Sequence, residues 1–395
     1  MSRVERIYKW LAGDTSPGAN RVLAAALEHA EPDYARQIAE LLLDRRHETA
    51  WVGLVSNCDS LPRDLLERVN AKPDLVRIGI AAALRGGSAH AKENALGMLA
   101  RRPCPDLSYL ASDALLESSQ TVRVAATQAL WSCAEYVLDN TPADQFGRCR
   151  SPESAARYAA LVAALREALA TFDRHQQVKV IELCLWFARE LGDALWQRLS
   201  EPRSQISHVV QQHLKLWDGP RLAGFLLLAL ARRDWRSAAC EQLGSWSEKE
   251  DLIAILRHSD LLAYPQMTRG FRFMKNPAWL GTAGPGLTHL TAAARAVVPL
   301  WICHLGFNDG QRVRCLLRWQ TSLYPEVHRA SVYALAHLNT PAALQILTVV
   351  ATNPGSMRQF ATWYVAGKLE GASETQRPTS RPVVEPTGEL RPETP

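Results

Sequence analysis

The stretch Thr121-Val122-Arg123-Val124-Ala125-Ala126, which runs on into Ala129-Leu130, decides the fold of this chain. It pairs an apolar residue with a basic one and then enters a segment rich in Ala and Leu, whose apolar residues have helical spacing. A second copy, Glu326-Val327-His328-Arg329-Ala330, leads into Ala334-Leu335 in the same way. A phrase that recurs along a chain indicates a repeat architecture.

Similar apolar-plus-polar starts recur at a spacing of roughly 30 residues, as in helical repeats. They stand near residues 92, 123, 179, 207, 236, 298, 328 and 358, with two gaps of about twice the usual spacing. A second apolar run precedes several of these starts, as at 107–116, 310–319 and 341–350. Each unit is therefore predicted to be two helices joined by a short polar turn.

A single hairpin of this size cannot bury both of its apolar faces, so neighbouring units must stack. We therefore predict an all-α fold, an α-solenoid of stacked helical hairpins that winds as a right-handed superhelix. The Val-Arg starts, the paired helices and the Ala-x-x-Ala-Leu pattern resemble HEAT repeats of the short bacterial type. This resemblance covers most of residues 17–370 and is strongest at 106–133 and 310–369.

The resemblance also implies a role for the Arg of the repeat start. In HEAT-like repeats this Arg usually bonds between adjacent units, and we expect that role for Arg77, Arg123, Arg329 and Arg358. The alternative is that these residues contact a ligand on the concave face.

Three segments depart from the period. Residues 135–152 collect Pro, Gly, Asn and Asp and are predicted to form a loop. Residues 262–286 mix aromatic, basic and Gly/Pro residues and are predicted to be an irregular insertion in the solenoid of residues 1–370. Residues 371–395 contain five prolines and little apolar bulk, so we expect a disordered tail.

Composition indicates an ordinary soluble protein, with 47% hydrophobic and 22% charged residues. The net charge of +5 permits an acidic partner or nucleic acid but favours neither. The polar N-terminus is not a secretory signal, and no apolar run is long enough for a membrane span. The expected location is the cytoplasm.

The residue types that carry chemistry show no catalytic or metal-binding pattern. The eight cysteines form no C-x-x-C pair and are predicted to be small buried hydrophobic residues in a reducing compartment. His208 and His213 are five apart, which puts them on different faces of a helix, whereas a zinc pair needs a spacing of four. We find no nucleophile elbow or phosphate loop. The sequence therefore predicts no metal, no cofactor and no enzymatic activity.

The strongest candidate for partner binding lies in the second irregular segment. There, basic groups that can neutralise phosphates or carboxylates alternate with aromatic rings that can stack or anchor in a pocket. The candidate residues are Arg269, Phe271, Arg272, Phe273, Lys275 and Trp279. The alternative is a long loop that caps an irregular repeat and tucks its aromatic side chains into the core.

Tryptophan is abundant, and five copies fall in amphipathic helices where core packing is expected: Trp131, Trp186, Trp217, Trp319 and Trp363. Some HEAT-like DNA glycosylases for alkylated bases use Trp and a catalytic Asp. The residues here that are similar in type are Trp186, Asp193 and Trp196. HEAT-like bilin lyases have repeats of the same period, but no feature of this chain indicates a tetrapyrrole.

The sequence thus favours a non-enzymatic scaffold or adaptor that binds a protein on the concave face of a solenoid. The partner-facing residues are expected in the second helix of each unit and in the Arg269–Trp279 stretch. The alternative is a nucleic-acid-binding protein, such as a glycosylase for alkylated bases.

Overall fold

The computed structural model describes residues 3–140, 151–258 and 292–375, with short gaps at 202–203, 218, 247–249, 252–253, 256–257, 305 and 321–322. The chain divides into two compact units, Met1–Ala294 (unit 1) and Arg295–Pro395 (unit 2). Every regular element in these described ranges is a helix. The predicted all-α class is confirmed.

The helices follow one another closely and are joined by short connections. In unit 1 they are α1 Arg3–Gly13, α2 Pro17–His29, α3 Pro32–Leu43, α4 Glu48–Ser56, α5 Arg63–Asn70, α6 Pro73–Gly86, α7 Ala89–Arg101, α8 Ser108–Ala114, α9 Gln120–Asn140, α10 Pro152–Ala170, α11 Phe172–His175, α12 Val178–Trp186, α13 Ala188–Ser200, α14 Gln205–His213, α15 Ala223–Leu230 and α16 Arg236–Ser245. Short 3-10 turns stand at Pro105–Leu107 and Pro220–Leu222. A helix at Ala292–Ile302 starts at the end of unit 1, and unit 2 continues with Asp309–Gln320, Pro325–Leu338, Pro341–Thr352 and Arg358–Thr375.

Seven of the eight predicted repeat starts lie within about three residues of the beginning of a helix, whereas residue 298 lies inside Ala292–Ile302. Local capping signals explain some of these beginnings. Ser88 caps α7 by accepting a hydrogen bond from the backbone amide of Ala91, and Ser204 caps α14 in the same way. Proline occupies the first turn of several other helices, where no intrahelical hydrogen bond is lost because the N–H there would have no partner within the helix. These prolines include Pro17, Pro32, Pro73, Pro152, Pro325 and Pro341.

The helices of unit 1 pack in two rows. In the first row α2 packs on α4, α4 on α7, α7 on α9, α9 on α12 and α12 on α15. In the second row α3 contacts α5, α6 contacts α8, α8 contacts α10 and α10 contacts α13. Each helix thus buries its apolar face against its hairpin partner and against neighbouring units, as stacked repeats require.

Close packing between rows depends on small residues. Gly79 of α6 lies against α4, and a Cβ atom at this position would stand 2.7 Å from the backbone oxygen of Trp51. Trp51 itself is fully buried, and its indole N–H donates to the backbone oxygen of Arg45 at 2.8 Å. The core of unit 1 therefore combines a large ring with a glycine that makes room for it.

Ion pairs connect consecutive hairpins, but most of them are formed by residues other than the Arg of the repeat start. Arg77 does reach the next hairpin, with Nη1 3.9 Å from Oδ2 of Asp106. Arg123 instead donates to the backbone oxygens of Glu117 and Ser118, in the turn before its own helix. The predicted role is therefore wrong for Arg123, because its side chain points back along the chain.

Arg329 also departs from the prediction, since its Nε atom donates to the backbone oxygen of Pro325 in its own helix. Other residues form the links between successive hairpins, at sequence separations close to one repeat. They are Arg36–Asp64, Lys92–Glu117, Asp173–Arg198, Lys215–Glu241 and Arg295–Glu326, with N–O distances of 2.5–2.7 Å.

Two predicted boundaries need correction. Helix α9 runs to Asn140, so residues 135–140 are helical and not part of a loop. Leu130, Cys133, Ala134 and Val137 continue one buried stripe, and this outweighs the turn-forming residues that follow. The last helix reaches Thr375, so residues 371–375 are helical as well. Residues 141–150, the insertion at 262–286 and the tail beyond 375 lie outside the described residues.

Candidate functional site

The six residues predicted to bind a partner cannot be placed. Arg269, Phe271, Arg272, Phe273, Lys275 and Trp279 all lie outside the described residues. Their role stays a prediction, and the site described below comes from other residues.

The tryptophans expected in the core divide into three groups. Trp217 and Trp319 are buried, as predicted, while Trp131 and Trp186 are half-buried. For Trp363 the prediction is wrong, because 71% of its surface is exposed. Trp10 is exposed to a similar degree, at 67%, so what sets Trp363 apart is the group of rings around it.

Trp363 belongs to a group of four rings on two helices of unit 2, Pro325–Leu338 and Arg358–Thr375. The ring of Phe360 lies 4.6 Å from that of Tyr333, at an interplanar angle of 65°. The rings of Trp363 and Tyr364 each lie 6.2 Å from Phe360. We call Tyr333, Phe360, Trp363 and Tyr364 the aromatic surface.

Hydrogen bonds fix the two helices of the aromatic surface side by side. The hydroxyl of Tyr364 donates to the backbone oxygen of Ala336, near the end of Pro325–Leu338. It also lies 3.3 Å from Oδ1 of Asn339, whose left-handed backbone (φ 51°) ends that helix. Partial burial raises the pKa of the Tyr364 phenol, so the hydroxyl keeps its proton for these bonds.

Helical spacing explains how the rings come together. Phe360, Trp363 and Tyr364 stand at positions i, i+3 and i+4 of one helix, which places them on one face. Tyr333 is 48% exposed on the neighbouring helix and meets Phe360 edge-on. The result is a group of rings that pack on one another yet leave Trp363 open to a partner.

Basic side chains stand beside this group. Arg329 and His337 are exposed one turn before and after Tyr333 on the same helix. The Nζ atom of Lys368 lies 5.8 Å from the centroid of the Tyr364 ring. The aromatic surface therefore has positive charge on both of its helices.

A second aromatic group, in unit 1, is already satisfied by its own neighbours. Trp131 of α9 and Trp186 of α12 meet edge-on at 4.5 Å. The guanidinium of Arg221 covers the Trp186 ring at 4.7 Å, and Nζ of Lys179 lies 6.0 Å from the Trp131 centroid. Trp131 and Trp186 are half-buried, and Arg221 covers Trp186, so this group fits a structural role better than a binding role.

The residues that are similar in type to those of the glycosylases lie in separate surroundings. Trp186 contacts Trp131 and Arg221, as described above. Trp196 is buried and stacks on Phe225 at 5.5 Å with an interplanar angle of 12°. Asp193 is exposed and follows Gly192, whose φ of +47° interrupts α13. These placements give no common pocket for a base among the described residues.

The described cysteines are free thiols, and most are buried, as predicted. Burial raises the pKa of Cys133 to about 12 and that of Cys58 to about 11, so both stay protonated at neutral pH. Cys104 and Cys315 are half-buried instead. In the described part of the chain, no three His, Cys, Asp or Glu side chains cluster closely enough to hold a metal ion.

One cleft of unit 1 opens between α2, α4 and the start of α7, with a volume of about 350 Å³. Its lining combines small residues with Arg21, Glu28, Asn57 and His90. Nδ2 of Asn57 donates to the backbone oxygen of Gly53, and His90 Nε2 lies 3.5 Å from Asp59 Oδ2. Asn57 and His90 are thus already engaged with other groups of the protein.

The aromatic surface was missed because the sequence pattern of Phe360, Trp363 and Tyr364 is also that of a buried helix face. One signal was available, since these residues stand in the last helical unit before the Pro-rich segment.

Comparisons with known proteins add little to this description. No family model matches the chain, and no curated protein matches it either. Among solved structures, crystal structures of Kap121p and of a Kap121p mutant are similar, with 13% identity and TM-scores of 0.27 and 0.26. These matches cover 94% of this chain and 51% of the Kap121p chains, so the chain spans about half their length. At such TM-scores the likeness carries no argument about architecture or partners.

In the part of the chain that the structure describes, no helix is both long enough and apolar enough to cross a membrane.

Proposed function

We propose that this chain is a non-enzymatic scaffold that binds a protein partner through the aromatic surface of unit 2. The exposure of Trp363 carries this proposal. Tryptophan and tyrosine dominate the binding energy of many protein interfaces, because they bury a large area and lose few rotatable bonds. The Trp363 ring lies 6.2 Å from that of Phe360, which supports it on one side.

The construction of the surface supports this proposal. Its two helices lie side by side, and the Tyr364 hydroxyl bonds to the neighbouring helix, so the rings have fixed positions before a partner arrives. Apolar rings surrounded by charged and polar groups form the usual arrangement of an interface core and rim. The predicted contribution of Arg269–Trp279 is compatible with this proposal and remains separate from it.

Site-specific crosslinking tests the proposal directly. A photoreactive amino acid at position 363, in the full chain in its native cells, should give a discrete crosslinked partner. Val349, which is 56% exposed on Pro341–Thr352, is the matched control because it is accessible but is no part of the aromatic surface. Tyr333→Ala should reduce the product at 363. Equal products from 349 and 363, or none at 363, would contradict the proposal.

A further inference from the structure

The described side chains of unit 2 are strongly unbalanced in charge. Between Arg295 and Lys368 the chain has seven Arg or Lys residues and only two Asp or Glu, Asp309 and Glu326. This local excess is as large as the net charge of +5 of the whole chain. The weak basic balance of the full sequence therefore conceals a basic span, Arg295–Lys368, and a remainder of the chain that is neutral on balance.

Both acidic residues of this span are engaged with basic ones. Oε1 of Glu326 lies 2.6 Å from Nε of Arg295, and both side chains are more than four-fifths buried. Oδ1 of Asp309 lies 3.2 Å from Nη1 of Arg312, one turn along the same helix. The carboxylates of the span are thus paired within unit 2.

The positive charge extends onto the face that carries the rings. Arg329 and Tyr333 stand at i and i+4, so they lie side by side along their helix. The Nε atom of Arg329 donates a long hydrogen bond, 3.4 Å, to the backbone oxygen of Pro325, and the side chain is exposed. A guanidinium has five N–H donors, so this bond uses only part of its capacity. Lys368 extends the charge on the second helix, beyond Tyr364.

We infer that the aromatic surface binds an acidic peptide segment, with Asp or Glu residues beside an aromatic or aliphatic side chain. In this arrangement Arg329 and Lys368 pair with carboxylates of the peptide, while the apolar side chain packs on Trp363. This inference rests on the proposed function, because it names the chemistry of the partner at the same surface. Complementary charge favours the encounter and sets the orientation of the bound segment.

The ring geometry favours a peptide over single-stranded nucleic acid. Proteins that bind single strands offer several open ring faces on which successive bases stack. Here Phe360 meets Tyr333 at 65° and lies nearly parallel to Tyr364, at 27°, so these rings cover one another. Trp363 is the ring with most of its surface free, and one such ring is enough to anchor a peptide side chain.

A selection from a random peptide library tests the inference with the full chain as bait. Enriched sequences should be acidic and contain aromatic or aliphatic residues, and they should be lost on Trp363→Ala. For an enriched peptide, R329E combined with K368E should weaken the Kd about tenfold or more. Arg314→Glu is the matched control, because Arg314 is exposed in the same unit and also has a long bond to a carbonyl of its own helix.

The outcomes separate the two proposals. Neutral or basic peptides that require Trp363 would overturn the inference about acidity and leave the scaffold function intact. If no peptide depends on Trp363, both proposals fail. If oligo(dT) displaces the enriched peptides and binds more tightly than they do, the surface is a nucleic-acid site and the inference is wrong. Equal losses from R314E and R329E would also overturn it, since they would show a general charge effect.

Discussion

Arg221 covers the ring of Trp186, with its guanidinium carbon 4.7 Å from the ring centroid. The same guanidinium reaches α9, where Nη1 lies 3.2 Å from Oε1 of Glu135 and Nη2 lies 3.5 Å from Oδ1 of Asp139. One side chain therefore joins α9, α12 and the turn at Pro220–Leu222, although its acidic partners are more than 80 residues away along the chain. Arg221 therefore ties α9 to a part of the chain that lies more than one repeat further on.

Removal of this link should loosen the first row of unit 1. We expect Arg221→Ala to cost about 1–2 kcal/mol, from one cation–π contact and two partly exposed ion pairs. The measurement is hydrogen exchange of α9 and α12, which should speed up in the variant. Arg63→Ala is the control, because Arg63 is 92% exposed and pairs with Glu67 one turn away on the same helix. Equal effects of the two substitutions would show that Arg221 has no special role.

A pair of glycines tests how tightly the rows pack. Gly79→Ala should destabilise unit 1 by about 1–3 kcal/mol, because the new methyl group collides with the backbone of Trp51. Gly97→Ala in α7 meets open space, so it should be neutral or stabilise by about 0.5–1 kcal/mol through helix propensity. Urea denaturation of both variants measures the difference. If both alanines stabilise the protein, the close approach of α4 and α6 is not as described.

The aromatic surface should contribute to binding and not to folding. Trp363→Ala is expected to change the stability of unit 2 by less than about 0.5 kcal/mol, as is usual for exposed positions. Trp301→Ala, at a site that is 1% exposed, should cost about 3–5 kcal/mol. Thermal melts of the two variants make the comparison. A large loss of stability from Trp363→Ala would mean that the ring is structural, and any loss of binding in that variant would then be indirect.

The helices were predictable because their signals are local. The capping residues Ser88 and Ser204 and the prolines at helix starts act within one helical turn. The spacing of apolar residues around Val122 or Val327 shows which face of the helix is apolar. The exposure of Trp363 was not predictable in this way. Apolar spacing shows which face is apolar, whereas exposure depends on whether another element covers that face.

The partners of charged residues were equally hard to predict. Arg123 and Arg77 occupy the same position in the repeat phrase, yet Arg77 reaches Asp106 and Arg123 turns back to Glu117. The partner of each Arg depends on which oxygen atoms lie within reach of its long side chain. The positions of those oxygen atoms follow from the local packing of the helices. A resemblance between repeats therefore predicts the type of residue at a position better than its contact.

The Arg295–Glu326 link makes unit 2 sensitive to acid. The pKa of Glu326 is lowered, first by a hydrogen bond from its own backbone amide and then by Arg295. A lowered pKa in the folded state means that the ionised carboxylate favours folding. The stability that the ionised Glu326 carboxylate contributes is therefore complete above the unfolded pKa of about 4.5. It is lost as the pH falls through the lower pKa of the folded state.

We expect Glu326→Gln to reduce the stability of unit 2 at pH 7. The variant should also lose less stability than the wild type when the pH falls below 4.5. The measurement is urea denaturation between neutral and acidic pH, with Asp309→Asn as the control for an exposed ion pair. The same acid slope in wild type and in Glu326→Gln would show that this carboxylate does not control the stability of unit 2.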